Sequence, residues 1–272
     1  EEDFKEHCDK EGHRTLVLSI DVQGLKAVND NIEHSKGTEV LTEYGEALEE
    51  AAKTTKQDFK KKGIDAFTCA YHIGGDEFAL VVVAPEASLA NKIAEEITAA
   101  VAAIEPIVKV TTKRKQIPTM LRVGACVGAG EGEAILSVAD KAETDVRCAI
   151  YQKAFGSMDA RGAFIAKNDP KLKGIPNWRV IQFDNSRFIG GLSDEAVKEA
   201  KDAAERESEA KKEKSKRTPS RLSSRQKSRP KPSLSDSRAS STSRARAQGP
   251  QVRSKRGPTP SKKRGGGGGG KC

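Results

Sequence analysis

Residues 74–78 read Gly-Gly-Asp-Glu-Phe and lie between two apolar runs that have the composition of β-strands. Two successive glycines at a hairpin tip let backbone N–H groups come close to phosphate oxygens. Asp76 and Glu77 supply carboxylates, which bind Mg²⁺ or accept a proton. Another carboxylate, Asp21, ends a separate apolar run and offers the same metal a second protein ligand. These residue types predict a site for a nucleoside triphosphate with Mg²⁺ or Mn²⁺.

Short apolar runs are expected to position these residues. The run at 15–20 is rich in β-branched residues, which predicts a buried strand. The runs at 66–72 and 77–84 predict a β-hairpin that is closed by the Gly-Gly turn. Further strands are predicted at 120–127 and 178–183, and amphipathic helices over 37–61, 89–104 and 135–150.

The predicted order of elements is β-α-β-β-α-β-α-β. This order predicts an α/β (α+β) fold in which helices flank a mostly antiparallel central sheet. Such an arrangement is a ferredoxin-like palm. It places the Gly-Gly-Asp-Glu-Phe sequence at the tip of a β-hairpin.

Charge is distributed unevenly along the 272 residues. Residues 211–272 contain 20 Lys/Arg and 2 Asp/Glu, which leaves 28 Lys/Arg and 37 Asp/Glu for residues 1–210. Toward the C-terminus aromatic residues vanish and Ser, Arg, Lys, Pro and Gly dominate, so that segment has too little apolar surface to fold. We therefore predict a folded domain over 1–190, a charged helix over 191–215 and a disordered basic tail over 216–272.

The basic tail predicts non-specific binding to polyanions, such as nucleic acid or an acidic surface, through charge alone. A solubilising, phosphorylatable linker is an equally good interpretation. No apolar run reaches the roughly 18 residues that a membrane span needs. Five widely spaced cysteines favour a reducing compartment, so the expected location is the cytoplasm. Because residue 1 is Glu, we expect that further sequence precedes it.

The chain resembles the GGDEF domain, the catalytic domain of diguanylate cyclases. The resemblance extends beyond residues 74–78. Further residues match the family's first motif in type and spacing: Asp21, Lys26, Asn29, His34 and Gly37. The resemblance covers about residues 14–150. It implies the same palm-like fold that the pattern of strands and helices predicts.

The resemblance implies that two GTP condense into cyclic di-GMP and release two pyrophosphates. In a Mg²⁺-dependent homodimer, each site activates a ribose 3′-hydroxyl for attack on the α-phosphate of a GTP held by the facing domain. The implied metal ligands are Asp21, the carbonyl of Val22 and Asp76. Glu77 is the implied proton acceptor or a further metal ligand, and Lys26 would neutralise charge on the phosphates. Lys26 is equally typical of a solvated residue near a helix start.

Other residues match positions that contact the substrate. Gly74 and Gly75 would face the phosphates, and Asn29 matches the family's guanine reader or forms an Asx turn. His34 matches a position that contacts substrate. Arg147 replaces a Lys that contacts phosphate, so it would hold a γ-phosphate unless it is simply solvated.

The chain also departs from the family pattern. Thr38 replaces an Asp that accepts from guanine N1 and N2; its hydroxyl either contacts the base weakly or caps the following helix. His72 replaces an Arg, and residues 65–68 lack the Arg-x-x-Asp of the inhibitory product site. Glu143 and Thr144 replace a Leu-Tyr pair, and a following Gly-Arg-Asn is missing. The alternative hypothesis is therefore a degenerate GGDEF domain that binds GTP without catalysis and serves as a regulatory or scaffold module.

Overall fold

The computed structural model describes residues 11–105, 117–130, 132–158 and 165–217, with side chains described as far as residue 213. Contacts divide the chain into one unit from Glu1 to Pro219 and another from Ser220 to Cys272. The basic tail predicted over 216–272 lies outside the described residues from 218 onward.

The described residues contain six strands, which form a single sheet. In chain order they are His13–Gln23 (β1), Phe67–Gly74 (β2), Glu77–Pro85 (β3), Met120–Gly128 (β4), Trp178–Gln182 (β5) and Phe188–Gly191 (β6). Their order across the sheet is β2-β3-β1-β4-β5-β6, and every neighbouring pair is antiparallel except β4 and β5. The first four strands in this order have the ferredoxin-like arrangement. The predicted mostly antiparallel palm is therefore confirmed.

Helices cover both faces of the sheet. They are Leu25–Asn31 (α1), His34–Lys61 (α2), Asn91–Ala102 (α3), Gly132–Phe155 (α4) and Asp194–Arg217 (α5). Tyr44 of α2 and Val101 of α3 pack with Leu18 of β1 in one core, whereas Ile135 of α4 packs with Val17 in another. Because successive side chains of β1 meet different helices, the strand reads as a continuous apolar run rather than an alternating one. None of the helices described is long and apolar enough to cross a membrane.

Two elements were not predicted from the sequence. A short helix, α1, separates β1 from α2 and begins after Gly24, whose φ of 92° lies in the left-handed region. Strand β6 includes Gly190 and Gly191, which have low intrinsic preference for strands. Its pairing with β5 supplies the stabilisation that its composition lacks.

The predicted boundary after residue 190 falls inside β6, and the helix that follows is attached to the folded unit. Val197 and Ala200 of α5 are buried in the same cluster as Val146 of α4. The ammonium of Lys201 also lies 2.6 Å from a carboxylate oxygen of Asp145, which is itself buried. The first half of the charged helix predicted over 191–215 thus packs on the domain through its narrow apolar face.

Candidate functional site

The hairpin formed by β2 and β3 ends in an open turn at Gly74 and Gly75. The φ angle of Gly75 is 59°, a conformation that residues with a side chain rarely adopt. A Cβ atom at either glycine would meet no atom within 4 Å. The turn therefore needs glycine for its backbone at residue 75, and the space above both residues is free for a ligand.

Strand pairing brings three carboxylates to this edge of the sheet. Asp21 of β1 lies directly opposite Glu77 of β3. The backbone N–H of Val22 donates to the carbonyl of Asp76 with an N···O distance of 3.0 Å. Asp76 also acts electrostatically on Asp21. Strand pairing thus places Asp21, Val22, Asp76 and Glu77 next to one another, and their roles in binding a cation or accepting a proton stay predictions.

His72 supports the turn from within the hairpin. Its ring stacks on Phe78, with centroids 4.7 Å apart and an interplanar angle of 24°. Its Nε2 lies 3.1 Å from the carbonyl oxygen of Gly75. The residue that replaces the family's Arg therefore stabilises the conformation of the glycine turn.

Arg122 of β4 contacts the candidate metal ligand Asp21, and sequence reasoning missed it. The side chain is only 4% exposed. Its Nη2 donates to Oδ1 of Asp21, and its Nε donates to Oε1 of Glu143 at 2.9 Å. Burial opposes the charged form, but Asp21 and Glu143 outweigh it and raise the pKa of Arg122. We refer to Asp21, Arg122 and Glu143 as the buried ion triad.

A close approach between α4 and β4 places Glu143 over Arg122. A Cβ atom at Gly124 would lie 2.0 Å from the backbone nitrogen of Glu143 and 2.2 Å from the carbonyl oxygen of Ala139. Only glycine leaves room for the helix at this distance. Arg122 is the one charged residue in the apolar run of β4, whereas Glu143 lies among other charged residues of α4, so no sequence signal indicated this pairing.

Arg147 lies one turn beyond Glu143 on α4 and is partly exposed. Its positive charge lowers the pKa of Asp21, so it is close enough to act on the carboxylate edge. Its Nη2 lies 3.5 Å from Oγ1 of Thr144, which is a marginal hydrogen bond. The position is compatible with the expected phosphate contact, which stays a prediction.

Asn29 offers an unpaired acceptor beside Gly37. Oδ1 of Asn29 is buried and accepts no hydrogen bond from the residues that the structure describes. A Cβ atom at Gly37 would lie 1.9 Å from this oxygen, so the two residues are in direct contact. A buried polar atom that has no hydrogen-bond partner in the protein calls for a specific explanation, such as a water molecule or an ion that bonds to it. The contact between Asn29 and a guanine base stays a prediction.

Three further predicted residues make local contacts on exposed surfaces. Lys26 pairs with Asp30 on α1 at 3.2 Å, and the Lys26 side chain is 65% exposed. The hydroxyl of Thr38 donates to the carbonyl of His34 at 3.1 Å, within the first turn of α2. The roles of Lys26, His34 and Thr38 therefore stay predictions.

The carboxylate edge fits a divalent cation. Arg122 engages Oδ1 of Asp21, and no described residue bonds to the other oxygen, Oδ2. That oxygen and the carboxylate of Asp76 are hard ligands of the kind that Mg²⁺ prefers. No group of three or more His, Cys, Asp or Glu residues arranged to hold a metal occurs in the described part of the chain. Mg²⁺ commonly binds one or two carboxylates and completes its shell with water and substrate phosphates, so two carboxylates suffice.

The pKa of Asp21 leads to a pH-dependent stability. Burial raises this pKa from 3.8 to about 6; Arg122 opposes the shift, and Glu143 and Asp76 add to it. The folded state therefore holds the proton to a higher pH than the unfolded state, and this contribution to stability is lost as the pH rises through about 6.

With a chelator present, we compare the free energy of unfolding of the wild type with that of Asp21→Asn. The wild-type value minus the variant value should fall by about 2–3 kcal/mol between pH 4 and pH 7. Chemical denaturation of both proteins across this range measures the difference. A difference that stays constant or increases with pH would contradict the burial of an ionisable Asp21.

The family model for "Diguanylate cyclase, GGDEF domain" matches residues 1–153. This match spans more than half of the chain, so the chain belongs to the GGDEF family. No curated protein matches the chain significantly.

Solved structures of GGDEF domains resemble the fold. The GGDEF domain of DgcB from Caulobacter crescentus, in complex with c-di-GMP, is 19% identical, covers 53% of this chain and 79% of its own, and has a TM-score of 0.39. The GGEEF domain of a diguanylate cyclase from Vibrio cholerae is 18% identical, covers 49% of this chain and 76% of its own, and has a TM-score of 0.37. The GGDEF domain of PA1120 (YfiN or TpbB) from Pseudomonas aeruginosa is 24% identical, covers 49% of this chain and 76% of its own, and has a TM-score of 0.34. The assignment to the family rests on the family model.

Proposed function

We propose that this domain is a diguanylate cyclase, which condenses two GTP into cyclic di-GMP in a homodimer that requires Mg²⁺ or Mn²⁺. One observation carries the proposal: Asp21 and Asp76 reach the same edge of the sheet, next to the open glycine turn. The hydrogen bond from Val22 to the carbonyl of Asp76 holds these residues in register. This arrangement supports a nucleotide whose phosphates lie at Gly74 and Gly75.

Each residue has a distinct part in the proposed reaction. Asp21 and Asp76, with the carbonyl of Val22, hold the cation. A bound cation would supply positive charge that stabilises the phosphates and favours loss of the proton from the attacking hydroxyl. Glu77 is exposed at the same edge and accepts the proton of the attacking 3′-hydroxyl.

Other residues bind the guanine base and add positive charge near the triphosphate. Asn29 contacts the guanine through its side-chain amide, and Gly37 leaves room for that side chain. Arg147 and Lys26 balance the charge of the triphosphate, and His34 contacts substrate at the start of α2. A single chain holds one GTP, so joining two requires a second domain facing the first.

A second candidate function is GTP binding without cyclisation, as a regulatory or scaffold module. Two observations favour it. Oδ1 of Asp21 is already bound by Arg122, and Thr38 offers only a neutral hydroxyl, held against the His34 carbonyl, where the family has a carboxylate. Both features reduce the groups that are available for cation and guanine.

Pyrophosphate release from GTP distinguishes the two candidates. The full-length protein is incubated with GTP, with and without Mg²⁺, and pyrophosphate is followed continuously. Release that requires both GTP and the cation supports the cyclase. Binding of GTP without any release of pyrophosphate supports the second candidate.

Thr38→Asp should shift nucleotide preference toward GTP. A carboxylate can accept from both guanine N1 and N2, whereas adenine presents an acceptor at N1 and no amino group at C2. Sites that pair a substrate's hydrogen-bonding groups reject analogues that lack them, so we expect the ratio of GTP to ATP affinity to rise about tenfold or more. Equilibrium titration of both nucleotides measures this ratio.

Thr42→Asp is the matched control. Thr42 lies one turn further along α2, and its hydroxyl donates to a helix carbonyl in the same way. The Thr42→Asp substitution should leave the ratio of GTP to ATP affinity unchanged. Equal effects of the two substitutions would show that residue 38 does not face the base.

A further inference from the structure

We propose that Arg122 is an internal counter-cation of the candidate metal site. It occupies Oδ1 of Asp21, leaves Oδ2 for an incoming divalent cation, and thereby weakens cation binding when no nucleotide is present. The inference rests on the proposed function only in requiring that Asp21 binds a cation. It concerns a residue that the sequence motifs do not include.

The position of Arg122 makes it a permanent neighbour of Asp21. The two residues are directly opposite each other in β1 and β4, so backbone pairing fixes their distance. The guanidinium lies beneath α4, and the ring of Tyr151 lies 5.7 Å from its Cζ. The Arg122 side chain is almost completely buried and cannot swing into solvent when a cation arrives.

Glu143 keeps this arrangement from cancelling the site's negative charge. Arg122 alone would neutralise Asp21, whereas the buried ion triad carries a net charge of −1 because it contains two carboxylates and one guanidinium. The Glu143 side chain is 9% exposed, so its charge acts with little screening by solvent. Arg122 and Glu143 therefore have opposite effects on a cation at Asp21.

This balance has a consequence for the order of binding. Without nucleotide, a divalent cation meets the repulsion of Arg122 and finds a single oxygen on Asp21. The triphosphate brings its own negative charge and oxygen ligands. The cation is therefore expected to enter together with the nucleotide rather than before it.

Binding of Mn²⁺ to the full-length protein without nucleotide tests the inference. The electron paramagnetic resonance signal of free Mn²⁺ gives the dissociation constant. The double variant Arg122→Met/Glu143→Leu replaces the buried pair by apolar residues of similar size, a change that proteins often tolerate. It leaves the net charge at the site at −1 but frees Oδ1 of Asp21, so the cation gains a second oxygen ligand and Mn²⁺ binding should tighten about tenfold.

Single substitutions separate charge from structure. Arg122→Lys keeps the positive charge and should leave the affinity close to that of the wild type. Glu143→Gln keeps the shape but removes the compensating carboxylate, so it should weaken Mn²⁺ binding about tenfold. A purely structural role would weaken binding in every variant, whereas the proposal requires changes of opposite sign.

Arg14→Met is the matched control for loss of a positive charge. Arg14 lies near the other end of β1, where its guanidinium donates to the Leu89 carbonyl and to Asn91. This variant should bind Mn²⁺ like the wild type. Circular dichroism and thermal melting show that each variant is folded.

The outcomes also distinguish this inference from the proposed function. If Asp21→Asn abolishes Mn²⁺ binding but Arg122→Met/Glu143→Leu does not tighten it, the inference on Arg122 is wrong and the metal site stands. If no variant, including the double variant, binds Mn²⁺ in an Asp21-dependent way, both are wrong. Tighter binding in the double variant together with weaker binding in Glu143→Gln supports the inference.

Discussion

Replacing Asp76 by Asn should lower cation-dependent GTP turnover by at least about 100-fold, because the substitution removes a charged ligand of the cation. The fold should survive. The hydrogen bond that joins Asp76 to Val22 uses the backbone carbonyl of residue 76, which an Asn retains. Pyrophosphate release at several Mg²⁺ concentrations, combined with a melting curve, measures both parts of the prediction.

Asp58→Asn is the control for loss of a carboxylate. Asp58 is exposed near the end of α2 and pairs with Lys61. Its substitution should leave turnover unchanged. Full activity of Asp76→Asn with the same Mg²⁺ dependence as the wild type would show that the cation is held elsewhere.

Gly124→Ala should destabilise the domain by about 3 kcal/mol or more, because overpacking at an interface of rigid elements is costly. The added Cβ would lie 2.0–2.7 Å from backbone atoms of Glu143, Ala139 and Ala142. These atoms belong to the hydrogen-bonded backbone of α4 and cannot rotate away as a side chain could. The whole helix must shift, and Glu143 would move away from Arg122.

Gly45→Ala is the matched control. Gly45 lies inside α2, and an added Cβ would meet only the Phe78 ring at 3.6 Å, an ordinary contact. This change should stabilise the domain by roughly 0.5–1 kcal/mol, since Ala is the better helix former. Denaturant unfolding of both variants gives the comparison. A cost below about 1 kcal/mol for Gly124→Ala would contradict the close approach of α4 to β4.

The sequence predicted the acidic edge because strand pairing follows from local patterns. The apolar run that ends at Asp21 and the hairpin that contains Asp76 are each visible without any tertiary information. Once β1 lies beside β3, the two carboxylates must come together. The same reasoning gave the order of strands and helices up to β5, apart from the short helix α1.

The buried ion triad could not be predicted because it depends on a distance between elements. Arg122 and Glu143 are 21 residues apart, and they meet only because Gly124 lets α4 approach the sheet closely. The attachment of α5 is a similar case. Its sequence is strongly charged, and the few buried residues such as Val197 matter only once α4 presents a surface for them.

The mass of the nucleotide product shows whether the domain joins two GTP molecules. The full-length protein is incubated with GTP and Mg²⁺, and the products are separated and weighed by mass spectrometry. We expect cyclic di-GMP with two pyrophosphates for each molecule formed, and no product from Asp76→Asn. Hydrolysis to GDP and phosphate, or product formation that persists in Asp76→Asn, would contradict it.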